Sequence, residues 1–103
     1  MTLPSLDPVI HAPNRLQICA LLSPLEEAEF RVLRQELRVS DSVLSKHLSQ
    51  LETAGYITIR KDSFGGRRRT WAALTPAGRK AFSTHVASLR ALASLADQGA
   101  SAT

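Results

Sequence analysis

This chain lacks most of what would mark a secreted, membrane-bound or catalytic protein. It has one cysteine, Cys19, so no internal disulfide can form, which fits a reducing compartment. No apolar run approaches the roughly 20 residues a bilayer crossing needs, and the start shows no basic-then-apolar signal pattern. A cytoplasmic protein with no membrane partner is therefore expected. Three histidines, His11, His47 and His85, stand at no recognisable ligand spacing, so no metal is expected. Gly65-Gly66 lacks the lysine and hydroxyl that follow a nucleotide-binding glycine loop, and it reads as a turn. There is no nucleophile–base–acid arrangement and no carboxylate pair in a recognisable setting. The reading is of a non-enzyme with no cofactor.

What is present is a concentrated positive charge on a chain of one-domain size. The 103 residues carry a net charge of +4 and a pI near 10.0, with 44% hydrophobic residues, a globular composition. Of the thirteen basic residues, five lie within ten positions: Arg60, Lys61, Arg67, Arg68 and Arg69. Interrupted by Gly65-Gly66 between two strand-like stretches, they favour contact with a polyanion over a merely solvated surface.

Along the chain, Asp7-Pro8 predicts a helix start, interrupted by Ala12-Pro13-Asn14. Leu16, Ile18, Cys19 and Leu22 predict a helix from Pro13 to about Ser23-Pro24. Residues 26–30 form a short linker that could add one strand to a later hairpin. Phe30, Leu33 and Leu37 predict a brief second helix. Ser40 caps a third, with Asp41 in its first turn and Gly55 ending it. Residues 56–61 and 69–74 predict a hairpin, and Thr75-Pro76 starts a last helix reaching about Ala96.

The third helix and the hairpin carry the candidate chemistry. At about 100° per residue, Leu44, Leu48 and Leu51 share one narrow arc. Opposite lie Ser42, Ser45, Lys46, Ser49 and Thr53, with small hydroxyls and no acid, so this face can approach a phosphate-lined groove without repulsion. The arginines beside Gly65-Gly66 suit phosphates or a minor groove. The expected DNA-binding set is Ser40, Ser42, Val43, Ser45, Lys46 and Ser49 on the helix, with Arg60, Lys61, Arg67, Arg68 and Arg69 on the wing.

Residues 37–57, LRVSDSVLSKHLSQLETAGYI, resemble the recognition-helix region of bacterial MarR and ArsR winged-helix regulators. Leu74-Thr75-Pro76-Ala77-Gly78-Arg79 resembles the strand-to-helix junction of the same proteins. Residues 6–16 resemble the opening of a compact MarR-like group of stand-alone winged-helix proteins. The resemblance implies an α+β, mainly helical fold: a winged helix-turn-helix with a two- or three-stranded β-wing and a long C-terminal helix. It also implies a homodimeric transcription factor, usually a repressor, acting on a pseudo-palindromic operator in double-stranded DNA. The chain is shorter than typical MarR proteins, whose extra helices frame an effector pocket, so any small-molecule effector stays unassigned. It also lacks the cysteine pairs of metal-sensing ArsR proteins. A zinc site across a dimer from His11, Cys19 and His85 loses to packed or capped histidines. Cys19 reads as a buried small hydrophobe, not a redox sensor.

The last helix bears Phe82, Val86, Leu89, Ala93 and Ala96 in one stripe, widened by His85 and Leu92. In this fold the stripe is expected to pair with a second copy beside the N-terminal region. The dimerisation set is Leu6, Val9, Ile10, Phe82, Val86, Leu89, Leu92 and Ala93. Residues 1–6 are expected as a flexible start, 7–96 as the DNA-binding and dimerisation domain, and 97–103 as a flexible tail. The expected core is Leu16, Ile18, Leu22, Phe30, Leu33, Leu37, Leu44, Leu48, Leu51, Ile57, Ile59 and Trp71. The rival reading is a winged-helix module whose basic wing meets an acidic protein or RNA.

Overall fold

A computed structural model describes residues 3–101, with side chains for 3–99. Met1, Thr2, Ala102 and Thr103, the ends of the expected flexible segments, lie outside the described residues. The order is α1 (Pro13–Leu22), β1 (Ala28–Glu29), α2 (Phe30–Leu37), α3 (Asp41–Thr53), β2 (Ile57–Phe64), β3 (Arg67–Leu74) and α4 (Pro76–Ser101). The strands form one antiparallel sheet in the order β1-β3-β2. The 26–30 linker thus supplies the third strand, with Ala28 opposite Ala72 and Glu29 opposite Trp71. This is the expected winged helix-turn-helix, an α+β fold.

The helix expected at Asp7-Pro8 shrinks to a single turn. The Asp7 carboxylate accepts from the Val9 and Ile10 amides at 2.9 and 3.3 Å, and the Asp7 carbonyl accepts from the His11 amide at 2.8 Å. Ala12 is then extended, at φ −66 and ψ 138, as a residue before proline prefers. Helix α1 begins afresh at Pro13.

Between α2 and α3, Arg38 takes the left-handed conformation at φ 56, a turn usually given to glycine. Ser40 caps α3 by accepting from the Val43 amide at 3.2 Å. An Arg34–Asp41 ion pair at 3.0 Å spans this turn. The hairpin turns on Gly65 and Gly66, at φ 61 and 78. Positive φ at both positions is the tight two-residue geometry that matches strand twist.

One layer of aliphatic side chains joins the helices to the inner face of the sheet. It comprises Ile10, Ile18, Cys19, Leu22, Ala28, Leu33, Leu44, Leu48, Leu51, Ile57, Ala72 and Leu74. Leu16, Phe30, Leu37 and Ile59, expected as core, are half-buried against it. Trp71 is a correction. Ile57 and Ile59 face the core and pair with Leu74 and Ala72, so the two-residue period puts Trp71 on the opposite face of β3.

Where α3, the hairpin and α4 meet, three backbones converge. Thr75 caps α4 by accepting from the Gly78 amide at 2.9 Å, and its hydroxyl donates to the Gly55 carbonyl at 2.6 Å. A side chain at Gly78 would place its Cβ 2.0 Å from the Tyr56 carbonyl oxygen, so only glycine fits. Arg79 donates to the Ser23 and Leu25 carbonyls at 2.7 and 2.9 Å, tying α4 to the end of α1.

Helix α4 runs to Ser101, past the expected end near Ala96, so residues 97–101 of the expected tail are helical. Ala81 and Phe82 pack on the core, while Val86, Leu89, Leu92 and Leu95 are half-exposed further along. The molecule measures 62 × 26 × 21 Å, elongated because this helix outruns the domain. Among the described residues, no helix is long and apolar enough to cross a membrane.

Candidate nucleic-acid interface

Helix α3 divides into four strips. Leu44, Leu48 and Leu51 face inward. Ser42, Ser45, Lys46, Ser49 and Thr53 are exposed, as the sequence predicts, and form a polar strip with one cation; Val43 is exposed to one side of it. Ser40 is committed to its cap and lies 3.2 Å from the Ser42 hydroxyl, so Ser40 holds the helix start.

The strip facing the hairpin differs from expectation. Asp41, Ser45, Ser49 and Glu52 share a cleft with Lys61 and Thr70. The acid-free outer strip is therefore bordered by two carboxylates, spaced so that both turn toward the wing.

The last strip faces α1. The Arg15 guanidinium bonds to the Gln50 amide oxygen and to the Val9 carbonyl, and it lies 3.3 Å from His47 Nδ1. The Asn14 amide lies 3.3 Å from His47 Nε2. Desolvation, then the charges of Arg15 and Lys46, push His47 below the usual histidine range against the pull of Gln50. Arg15 thus fixes the rotation of α3 about its own axis. That role is not legible in the sequence, because its partners on α3, His47 and Gln50, lie more than thirty positions away.

The five wing cations separate by strand alternation. Arg60, Arg67 and Arg69 lie on the outer face, where each is paired. Arg60 forks onto Glu27 at 2.6 and 3.2 Å and reaches Asp62 at 2.9 Å. Arg69 grips Asp62 at 2.9 and 3.2 Å, and Arg67 meets Glu29 at 3.2 Å. Arg69 stacks between Phe64 and Trp71, with Arg60 over the same indole, at 5.0 to 5.4 Å. Partial burial opposes charge on Asp62, but the bonds from Arg60 and Arg69 hold its carboxyl below the ordinary range. The Trp71 indole nitrogen is buried and makes no full hydrogen bond among the described residues, but it adds to the groups that favour the ionised form of Asp62.

Lys61 and Arg68 fall on the inner face beyond the core, on the α3 side. Neither makes an ion pair among the described residues. Arg31, at the start of α2, lines one cleft with Arg67 and Arg68. It was not among the expected site residues, since its neighbours are more than thirty positions away and only the sheet register brings them together.

The expected dimerisation residues also divide. Ile10 has no exposed surface and belongs to the chain's own core, so it cannot meet a partner. Leu6, Val9, Phe82, Val86, Leu89 and Leu92 are half-exposed and Ala93 is exposed. His85, 1% exposed, closes a small network. Its Nδ1 accepts from the Asp7 amide at 3.2 Å, its Nε2 lies 3.4 Å from His11 Nδ1, and the Tyr56 hydroxyl donates to Asp7 at 2.6 Å. Burial, then His11, lower the His85 pKa, with Asp7 pulling the other way. Cys19 is fully buried, and desolvation raises its thiol to about 11, the inert environment of a packing residue.

Comparison with known proteins agrees with this arrangement. The family model of the winged helix DNA-binding domain matches residues 14–93. An uncharacterised protein of Methanocaldococcus jannaschii is 35% identical over 78 residues, covering 76% of this chain and 85% of that protein. Among solved structures, a transcriptional regulator homologue from Pyrococcus horikoshii OT3 superimposes with a TM-score of 0.81 at 27% identity. That match covers 86% of this chain and 88% of the other. A possible transcriptional regulator for arsenical resistance gives a TM-score of 0.58 at 36% identity, over 82% of this chain and 75% of its own.

Proposed function

The chain belongs to the winged helix DNA-binding domain family, and from that membership we propose that it is a sequence-specific transcriptional regulator. In this reading it binds a pseudo-palindromic operator in duplex DNA as a cytoplasmic homodimer and represses by blocking promoter access. The observation that carries the reading is the exposed strip of Ser42, Ser45, Lys46 and Ser49 beside Lys61 and Arg68 of the wing, which make no ion pair among the described residues. A helix with short polar side chains enters a major groove closely, and in this reading Lys46 donates to guanine acceptors. Lys61 and Arg68 then meet phosphates flanking the groove.

The dimer rests on α4. Val86, Leu89 and Ala93, widened by Leu92, form an apolar stripe on a helix that extends beyond its own core. Covering that stripe with a second copy removes apolar surface from water and sets two α3 helices about one DNA turn, roughly 34–36 Å, apart. One winged helix alone makes few base contacts, and pairing doubles them.

The test is selection of bound genomic fragments, followed by affinity measurement against salt. A dimer contacting roughly 6–10 phosphates gives a slope of log K on log salt of about −5 to −9, with a preference for a pseudo-palindromic duplex. A shallow slope with no duplex preference would instead indicate an acidic protein or RNA partner. Leu89→Glu should yield monomers by sedimentation and lose operator binding while keeping weak attraction to random DNA. Wild-type monomers at micromolar concentration, binding the operator tightly, would end the dimer reading.

A further inference from the structure

Glu29 is an acid in a cationic setting. It ends β1 and is the residue just before α2, the position where a side chain often caps the helix. Its carboxylate makes no such cap. It turns instead to the Arg67 guanidinium at 3.2 Å, with the glutamate side chain 15% exposed and the arginine 51%. The cleft around it is lined by Arg31, Arg67, Arg68 and Arg69. A carboxylate held beside several guanidinium groups, ahead of a helix start, occupies the setting that suits a phosphate.

We propose that Glu29 is a built-in competitor for DNA phosphate that holds Arg67 and sets the strength of sequence-independent binding. The inference rests on the DNA-binding reading above. Arg67 reaches a phosphate only by leaving Glu29, and the carboxylate left behind repels the incoming anion. Both effects lower affinity wherever the wing touches the backbone, whatever the sequence. The other outer arginines are also held, but Asp62 and Glu27 bind them together with aromatic stacking. Arg67 has the single carboxylate contact and no ring, so it is the outer cation most readily released.

The consequence concerns how much protein a genome leaves free in solution. Random-duplex binding is nearly all phosphate contact, and random sites vastly outnumber operators. A residue that keeps one cation per subunit occupied reduces the share of protein held on random DNA. Here a single glutamate does so without touching a base.

The experiment compares wild type, Glu29→Gln, Arg67→Ala and the double variant on a random duplex and on a selected genomic fragment, each across a salt series. Glutamine keeps the size of the side chain and removes its charge. Glu29→Gln should tighten random-duplex binding about three- to tenfold and steepen the salt slope by about 1 per subunit. Arg67→Ala alone should weaken binding slightly, because it leaves the Glu29 carboxylate bare in the cleft. In the Arg67→Ala background, the gain from Glu29→Gln should shrink to less than half of its wild-type size on a logarithmic scale, and the steepening of the salt slope should disappear. A gain of undiminished size there would show a general charge effect and overturn the proposal, as would unchanged affinity and slope in a Glu29→Gln protein that still binds DNA. If neither wild type nor any variant binds duplex DNA, the DNA-binding reading itself fails and takes this inference with it.

Discussion

The two faces of the hairpin carry the same kind of charge in opposite circumstances. On the outer face Arg60, Arg67 and Arg69 are matched by Glu27, Glu29 and Asp62, and two of them lie over Trp71. On the inner face Lys61 and Arg68 have no carboxylate partner among the described residues. In sequence the five form one basic cluster. In the fold, a period of two sorts them into cations neutralised by the chain's own carboxylates and cations with no ion pair among the described residues. Counting basic residues therefore overstates what a wing offers to DNA, because a charge already neutralised by its own chain adds little to the field.

The comparison can be broken most forcefully at the root both faces share. Gly78→Ala forces a Cβ into the Tyr56 carbonyl and should cost roughly 3 kcal/mol, the upper range for overpacking. Thermal unfolding measures the loss, and it should weaken any function of either face alike. Trp71→Ala removes the ring under Arg60 and Arg69. For a half-buried tryptophan this should cost about 2 kcal/mol, while the salt slope of DNA binding stays near that of wild type. A large fall in slope would show that the outer face does contact phosphate.

Lys61→Ala with Arg68→Ala should do the reverse. Stability should stay within about 0.5 kcal/mol, as for open surface positions. Affinity for every duplex should fall about tenfold or more, with a flatter slope. Unchanged affinity would remove the functional distinction between the faces. Lys46→Ala is the finer probe, expected to reduce discrimination between operator and random duplex more than random binding itself.

The smallest effect comes from pH. His85 has a folded pKa below its ordinary value, so the unfolded chain binds the proton first as pH falls. Its contribution is complete above the unfolded value of about 6.5 and declines below that, toward the folded pKa. Denaturant titrations from pH 7.5 to 5 should show falling stability that His85→Gln flattens in part, His47 supplying the remainder. The outer face responds lower. Asp62, held below the carboxylate range, loses its contribution only as pH drops past about 3.8 and through that depressed pKa.

Most of the fold was legible because its signals are local. The Leu44, Leu48 and Leu51 stripe, the Ser40 cap, Gly65-Gly66 and Thr75-Pro76 each depend on residues within one turn, and all hold. The errors came where distant partners decide. Trp71 looked like core because it is large and apolar, yet its strand parity was set by the hairpin register. Ile10 reads as interface from its proline-broken segment, yet the Asp7 turn, anchored by Tyr56 and His85 far along the chain, folds it inward. The site divides in the same way. The polar strip of α3 follows from helical period alone, whereas the pairing of wing arginines depends on Glu27 and Glu29, more than thirty positions away.

Thr75 joins the end of α3 to the start of α4 through one hydroxyl, which touches the Gly55 carbonyl while capping the next helix. That makes α4 a lever with its fulcrum beside the reading head. A helix of 26 residues is about 39 Å long, so a 5° tilt at the fulcrum swings the far end by about 3 Å. Run in reverse, a small displacement where two such levers cross would turn the paired α3 helices against each other. In the proposed dimer, whatever grips the distal turns of α4 would therefore tune the pitch at which the pair meshes with a double helix.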